Sequence, residues 1–350
     1  MRSSYYCVCS LVVVILFFSI LLLNNDDYFE KMYNYNNNFY NKTDFFNFTL
    51  LQNSYAVEDA NDKDNDNNND DDDSEDKKDK SIFNFVAVGD WDCTGETEDT
   101  VDNIVDQEPE LVLALGDLSY NGEADCWLDL IEPIVDKTKI VIGNHEEDLI
   151  EDYKEFFGLK EQYYSFNLRN IHFLALSTQG DYDEESEQYK FAIRDLEKYS
   201  NDPFFNWIIV FYHHFIYGSG SGLPEEDDFR EVYHPLFDKY KVDLALQGHL
   251  HVYERTYPLT FNDEDDDEPI VQDYNPNIYK KPKGPIFVTV GTGGAHDMIL
   301  SSSKDFSALG IDGKFGILDI ALENNQRTLT GTFIENGKKK EVMDEFKIVK

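Results

Sequence analysis

Five short polar clusters, each set at the end of an apolar run, hold enough oxygen and nitrogen donors for two metal ions. They are Gly89-Asp90-Trp91-Asp92, Gly116-Asp117-Leu118-Ser119-Tyr120, Gly143-Asn144-His145-Glu146, Val210-Phe211-Tyr212-His213 and Gly248-His249-Leu250-His251. Carboxylate, amide oxygen, phenolate and imidazole are donors for iron, zinc, manganese or magnesium, and no thiolate set accompanies them. Two cations about 3.5–4 Å apart need a shared carboxylate, and such a pair stabilises both the attacking and the leaving oxygen of a displacement at phosphorus. Asp117 suits the shared position. Without a cation, Asp, Asn and His placed after apolar runs would be buried polar groups lacking partners, which is costly.

The elements that must position these donors can be read from periodicity. The runs 83–88, 111–115 and 140–142 read as buried strands, and each ends in Gly followed by Asp or Asn. Glycine lets the backbone turn sharply at the carboxyl end of a strand, where the next side chain faces the crevice in which open α/β sheets bind ligands. Val101, Ile104 and Val105 share one helical face, as do Tyr189, Ile193 and Leu196, and residues 229–237 read as a helix containing Pro235. Residues 163–168 and 171–176 read as an antiparallel pair across Arg169-Asn170, with further buried strands at 207–212 and 242–246. After Gly284 the pattern is strands alone, at 286–290, 315–322, 328–335 and 342–349, with Asn324-Asn325 and Asn336-Gly337 as hairpin turns. Two stacked mixed sheets flanked by helices follow from this order.

In sequence and order the five clusters resemble the metallophosphoesterases of the calcineurin-like superfamily, and within it the purple acid phosphatases. That pattern is Asp after Gly, Gly-Asp-x-x-Tyr, Gly-Asn-His-Asp/Glu, Val-x-x-His and Gly-His-x-His. The resemblance covers residues 81–350, and Gly248-His-Leu-His-Val-Tyr-Glu-Arg-Thr-Tyr-Pro258 is especially similar to the last motif. It implies an α/β fold, a four-layer αββα sandwich of two mixed β-sheets, without the N-terminal fibronectin-like domain of larger plant members. It implies that Asp90, Asp117, Tyr120 and His251 hold a first cation, a ferric ion that the Tyr120 phenolate favours and colours. Asn144, His213, His249 and again Asp117 would hold a second, iron, zinc or manganese. His145 would face the phosphoryl group and protonate the leaving alkoxide, oriented by Glu146, with His214 as the other candidate acid.

Two positions depart from the pattern. Asp92 stands where the family usually has Gly and is read either as an extra oxygen ligand or as a carboxylate behind the ligands. Residues 215–222 contain no His, whereas plant members carry one near the substrate. Arg255 is expected to brace the last loop. His296, in a Gly-rich turn, either contacts the ligands from behind or serves the turn alone, and His172 and His234 are expected to be structural. The expected activity is hydrolysis of phosphate monoesters by hydroxide attack at phosphorus. Phosphodiester or pyrophosphate hydrolysis on the same site is the alternative, and a non-catalytic surface binding protein a further one. The expected walls of the site, 181–187, 218–228 and 262–283, carry no readable specificity.

Seventy acidic against thirty basic residues give a net charge of −40. Residues 1–80 hold 16 acidic and 7 basic side chains, which leaves −31 on the remainder. Such a surface argues against nucleic acid as a partner and leaves a small phosphorylated substrate to be attracted locally by the cations. No protein partner is evident. The nineteen-residue run 5–23, almost wholly apolar and preceded by Arg2, is expected to be a signal anchor, or alternatively a cleaved signal peptide; either exports the catalytic domain. Residues 24–80 are Asn- and Asp-rich and predict a disordered spacer, with glycosylation acceptor patterns at Asn41 and Asn47. The catalytic domain is then 81–350. The strand order implied by the resemblance sets the loops holding Cys93 and Cys126 side by side, and export supplies oxidising conditions, so a disulfide is expected, two reduced thiols being the alternative.

Overall fold

The chain alternates strand and helix through the first part of the structure, a computed structural model that describes residues 83–350 apart from 221, 302, 324 and 325. In order come β1 (Phe83–Val88), α1 (Gly95–Gln107), β2 (Leu111–Ala114), α2 (Ala124–Leu130), β3 (Thr138–Ile140), α3 (Ile150–Phe157), β4 (Tyr164–Leu168), β5 (Ile171–Ala175), α4 (Glu187–Ser200), β6 (Trp207–Phe211), α5 (Asp227–Tyr240) and β7 (Leu244–Gln247). Strands follow: β8 (Tyr253–Thr256), β9 (Leu259–Thr260), β10 (Ile270–Val271), β11 (Ile278–Lys280), β12 (Ile286–Val290), β13 (Ser307–Ile311), β14 (Gly316–Leu322), β15 (Thr328–Glu335) and β16 (Val342–Val349). All lie in one compact unit. The apolar run 5–23, the spacer, both glycosylation patterns and the Asn324-Asn325 turn lie outside the described residues. No helix among the described residues is long and apolar enough to cross a membrane.

Two seven-stranded mixed sheets result, ordered β11-β16-β15-β14-β1-β2-β3 and β13-β8-β12-β7-β6-β5-β4, with β9 and β10 as a separate pair. The side-chain period of two stacks them. On β6, Trp207, Ile209 and Phe211 enter one core while Ile208 and Val210 enter another, and β5, β7 and β12 divide in the same way. The first core lies between the sheets, where Phe85 of β1 meets Phe173 of β5 edge-on at 5.3 Å and Tyr253 of β8 stacks on Phe333 of β15 at 4.2 Å. The second lies between one sheet and its helices, with Leu196 of α4 and Phe229, Tyr233 and Phe237 of α5. On the other sheet α1 packs against β14 with Val101 and Ile104 buried beneath it, so helices cover both outer faces. This is the four-layer αββα sandwich.

Capping explains where the helices begin. The Thr94 and Ser186 hydroxyls accept from the backbone N–H of Thr97 and Tyr189, supplying two of the orphan N-terminal donors of α1 and α4. Several expectations need correcting. Val105 is 42% exposed, because the buried face of α1 runs through Thr97, Thr100, Val101, Asn103 and Ile104 and leaves it to one side. The third strand is Thr138–Ile140, set two residues earlier than the apolar run 140–142. The segment 262–283, expected as a wall of the site with no element of its own, contains β10 and β11, and β11 pairs in parallel with β16 at a sheet edge. β8 and β13 carry no alternating pattern long enough to predict, and they form only by pairing with each other and with β12.

Candidate metal centre

The parallel strands β1, β2 and β3 of one sheet and β6 and β7 of the other end beside one another, and their loops touch backbone to backbone. Asp90 N–H donates to Gly116 O at 3.0 Å, Trp91 N–H to Asp117 O at 2.8 Å, and Gly248 N–H to His213 O at 2.8 Å. Such close approach requires glycine. Gly116 sits at φ 86°, and a Cβ there would lie 2.6 Å from His213 Nδ1; one on Gly143 would run into the Asp117 carboxylate. Asp90 (φ 60°), Asp117 (φ 48°) and His249 (φ 68°) occupy the left-handed region without being glycine. Each such residue costs on the order of 1–3 kcal/mol, strain that concentrates at functional sites.

Within this cradle the donors face a common centre. Tyr120 Oη lies 3.3 Å from Asp90 Oδ1, 3.1 Å from Asp117 Oδ2 and 2.9 Å from His251 Nε2. Asp117 Oδ1 accepts from the His145 backbone N–H at 2.9 Å and lies 3.2 Å from His213 Nε2. Asn144 Oδ1 lies 3.2 Å from Nε2 of both His213 and His214, and the His249 N–H donates to Asp90 Oδ2 at 2.8 Å. Burial, reinforced by the Asp90 and Asp117 carboxylates, pushes the Tyr120 phenol far above its ordinary value. Burial would lower His213, but the adjoining Asp117 charge outweighs it and raises the imidazole to about 9. Burial and the neighbouring His213 and His214 hold His249 down near 3, keeping it neutral.

The imidazole orientations test whether cations fit. His213 Nδ1 lies 2.8 Å from Leu115 O and His251 Nδ1 lies 2.5 Å from His296 O; a carbonyl can only accept, so each Nδ1 carries the proton. Each Nε2 is thereby turned toward a carboxylate oxygen, Asp117 Oδ1 for His213 and Asp90 Oδ1 at 3.4 Å for His251. A lone pair facing a carboxylate is repulsive unless a proton or a cation lies between them. Carbonyl-tethered imidazoles of this kind are how metal-ligating histidines are usually held. The donor set therefore fits a pair of cations.

Residues 83–253 match the family model for calcineurin-like phosphoesterase. That stretch carries a calcineurin-like phosphoesterase domain. Purple acid phosphatase 18 of Arabidopsis thaliana is 29% identical over 243 residues, covering 63% of this chain and 52% of that protein. Probable inactive purple acid phosphatase 27 of the same plant is 28% identical over 284 residues, covering 68% and 45%. The solved structure of a purple acid phosphatase from yellow lupin (Lupinus luteus) seeds shares the fold, with a TM-score of 0.68 at 24% identity over 77% of this chain and 54% of that one. The chain spans about half the length of the curated relatives it matches.

Other residues singled out from the sequence fall into different places in the phosphoesterase domain. His145 is at the mouth, its side chain 42% exposed and its ring 4.0 Å from that of Tyr120, with Nε2 4.0 Å from Asp117 Oδ2. The buried Glu146 carboxylate makes no hydrogen bond to that ring and accepts from the backbone N–H groups of Gly143, Leu118 and Ser119. Asp92 turns to its own loop and accepts from Cys93 N–H at 2.7 Å. Arg255 is buried between the sheets, paired with Asp344 through Nε at 2.7 Å, away from the centre. His296 contributes its backbone carbonyl, and its exposed side chain packs edge-on to the His251 ring at 4.8 Å. His172 is satisfied by Asn167 and Asp195, and His234 Nδ1 by Tyr217 Oη at 2.8 Å, both buried in structural roles.

His214 stands inside the cluster, which its sequence position alone did not settle. Its Nδ1 lies 3.0 Å from Glu226 Oε2, and Tyr182 Oη donates to Glu226 Oε1 at 2.7 Å. Glu226 and Tyr182 had no sequence signal beyond lying in two of the expected walls. Cys93 and Cys126 form a disulfide, with Cα atoms 6.1 Å apart, joining the turn after β1 to α2.

Proposed function

We propose that this chain is a binuclear metal-dependent hydrolase of phosphate monoesters, with Asp90, Asp117, Tyr120 and His251 holding one cation and Asp117, Asn144, His213 and His249 the other. The observation that carries the reading is the pair of imidazoles, His213 and His251, tied at Nδ1 to backbone carbonyls and turned at Nε2 onto Asp117 and Asp90. Bound there, two cations would supply Lewis-acid charge and lower the pKa of water to near neutrality.

The protein's own residues divide the rest of the work. Asp117 stands between the two sets of donors, one oxygen toward His213 and the other toward Tyr120, and so sets their spacing. The Asn144 turn is clamped by Glu146, which keeps the neighbouring His145 backbone bonded to Asp117. The exposed His145 ring, packed on Tyr120, is placed to meet a substrate entering from solvent and to give a proton at Nε2 to the departing alkoxide oxygen. Tyr120 as a ligand would select a ferric ion. The Cys93–Cys126 bridge supports export into an oxidising compartment, with residues 5–23 as signal anchor or signal peptide and 24–80 as spacer.

Hydrolysis assays of the full-length protein on phosphate monoesters, diesters and pyrophosphates over pH 4–9, with and without metal reconstitution, test the reading. Monoester turnover that disappears with the metals supports it. Preference for diesters or pyrophosphate would retain the centre and change the substrate class; metal binding without any turnover would make this a binding protein.

A further inference from the structure

We propose that His214 is an additional ligand on the side of the second cation, held in place by Glu226 and Tyr182, so that three imidazoles rather than two meet there. The proposal rests on the binuclear reading above and concerns a residue outside the five motif positions.

Four observations carry it. The side chain of His214 follows directly on His213 at the end of β6 and is 18% exposed, so it turns into the crevice instead of solvent. Glu226 Oε2, a carboxylate oxygen that can only accept, faces His214 Nδ1 and so places the ring proton there, leaving a lone pair on Nε2, which has the Gln179 amide at 3.3 Å and Asn144 Oδ1 at 3.2 Å beside it. That Nδ1–H points at Glu226 Oε2 at 3.0 Å, and Glu226 is fixed in turn by the Tyr182 hydroxyl at 2.7 Å. This carboxylate-to-imidazole tether repeats, with a stronger acceptor, the carbonyl tethers of His213 and His251, and it is the arrangement that makes an imidazole a more basic metal ligand.

The fourth is spacing. The His214 and His249 rings lie 4.3 Å apart, and one ring nitrogen from each of His213, His214 and His249 falls within 4.8 Å of the others. Nitrogens bonded at about 2.0–2.1 Å to one ion would sit roughly 3–4 Å apart, so only a small closing movement is needed. Asn144 Oδ1, 3.2 Å from Nε2 of both His213 and His214, marks the point they share. With Asp117 this gives five protein donors and leaves one position of an octahedral shell for water or substrate. Three imidazoles also shift the preference of that side toward zinc and away from magnesium or manganese.

The test uses the full-length chain stripped with a chelator and titrated with Co(II) alone, read by visible absorption and by equilibrium dialysis. Wild type is expected to take two Co(II). His214→Ala should weaken one of the two by more than tenfold and change the intensity of its ligand-field band, while the other is kept. Glu226→Gln, which keeps the imidazole but weakens its tether, should lower the same affinity about tenfold, within the 10- to 100-fold range of outer partners. Wild-type affinities and an unchanged spectrum in His214→Ala would overturn the proposal and leave His214 as a wall residue. A wild-type chain that binds no Co(II) would overturn the binuclear reading itself, a different and separately visible result.

Discussion

The carboxylate of Glu146 accepts a 2.8 Å hydrogen bond from the backbone N–H of Leu118, and with its other oxygen a 2.8 Å bond from Gly143. One buried side chain thus laces the Asp117 turn to the Asn144 turn, two loops that leave different strands of the same sheet. Glu146→Gln replaces one acceptor by a donor and leaves a buried N–H without a partner, at a cost of about 1–3 kcal/mol. Metal affinity should fall with it, by about 10- to 100-fold. Denaturant unfolding and metal titration of the variant check both; undiminished affinity would mean the two turns hold their spacing without it.

Asp117 and His145 separate binding from turnover. Asp117→Ala removes the carboxylate that faces both donor sets and should abolish metal binding and hydrolysis together; two metals per chain after dialysis would contradict the shared role. His145→Ala should keep both metals and lose roughly 10²- to 10⁴-fold in turnover, the size of a general acid–base contribution. A loss below tenfold on a poor leaving group would place the proton donor elsewhere.

Colour reports on Tyr120. If its phenolate ligates a ferric ion, the aerobically purified protein should be pink to purple, and Tyr120→Phe should bleach it. A colourless, active protein carrying zinc or manganese would retain the hydrolase and discard the ferric ligand.

The Cys93–Cys126 bridge spans a sequence separation of 33. Chain entropy alone makes such a loop worth about 3–4 kcal/mol. Cys93→Ser should therefore lower the denaturant midpoint, and thiol titration of the unfolded, unreduced wild type should find neither cysteine free. Two reactive thiols from this pair would refute the bridge.

His234 supplies a pH dependence away from the centre. Burial, with Arg230 nearby, holds it near 3, against 6.5 for an exposed imidazole. The unfolded chain then takes up the proton first, so the stabilisation is whole above about pH 6.5 and drains away as the pH falls toward 3. The groups facing it are the Tyr217 hydroxyl, Arg230 and the Asp238 carboxylate 3.6 Å from Nε2. Asp238 is itself raised to about 6 by burial and runs in the opposite sense, but it is common to wild type and variant. The stability difference between wild type and His234→Gln should shrink from pH 8 to pH 5 in urea unfolding; a difference that stays constant would mean the imidazole is not held neutral.

What could be read in advance was whatever depends on neighbours in sequence. Gly-Asp and Gly-Asn pairs after apolar runs mark the turns of the candidate site because the backbone demands and the donor lie within two residues of each other. The partners that orient those donors are distant or carry no side-chain signal: the carbonyls of Leu115 and His296 could be any residue, and Asp344 meets Arg255 across 89 positions. The partners of Glu146 carry no side-chain signal either, being the backbone N–H groups of Leu118, 28 residues away, and of Gly143, three residues away. β8 and β13 are strands by virtue of the neighbours they pair with.

The donors on Asp90, Asp117 and Asn144 hang from one sheet, and those on His213, His249 and His251 from the other. A cation pair gripped by both would act as a rivet through the sandwich, clamping its two leaves at the rim where their loops already touch. The durability of the folded chain would then track the mineral content of its surroundings, and a chelator would loosen the whole plate at the end where substrate enters.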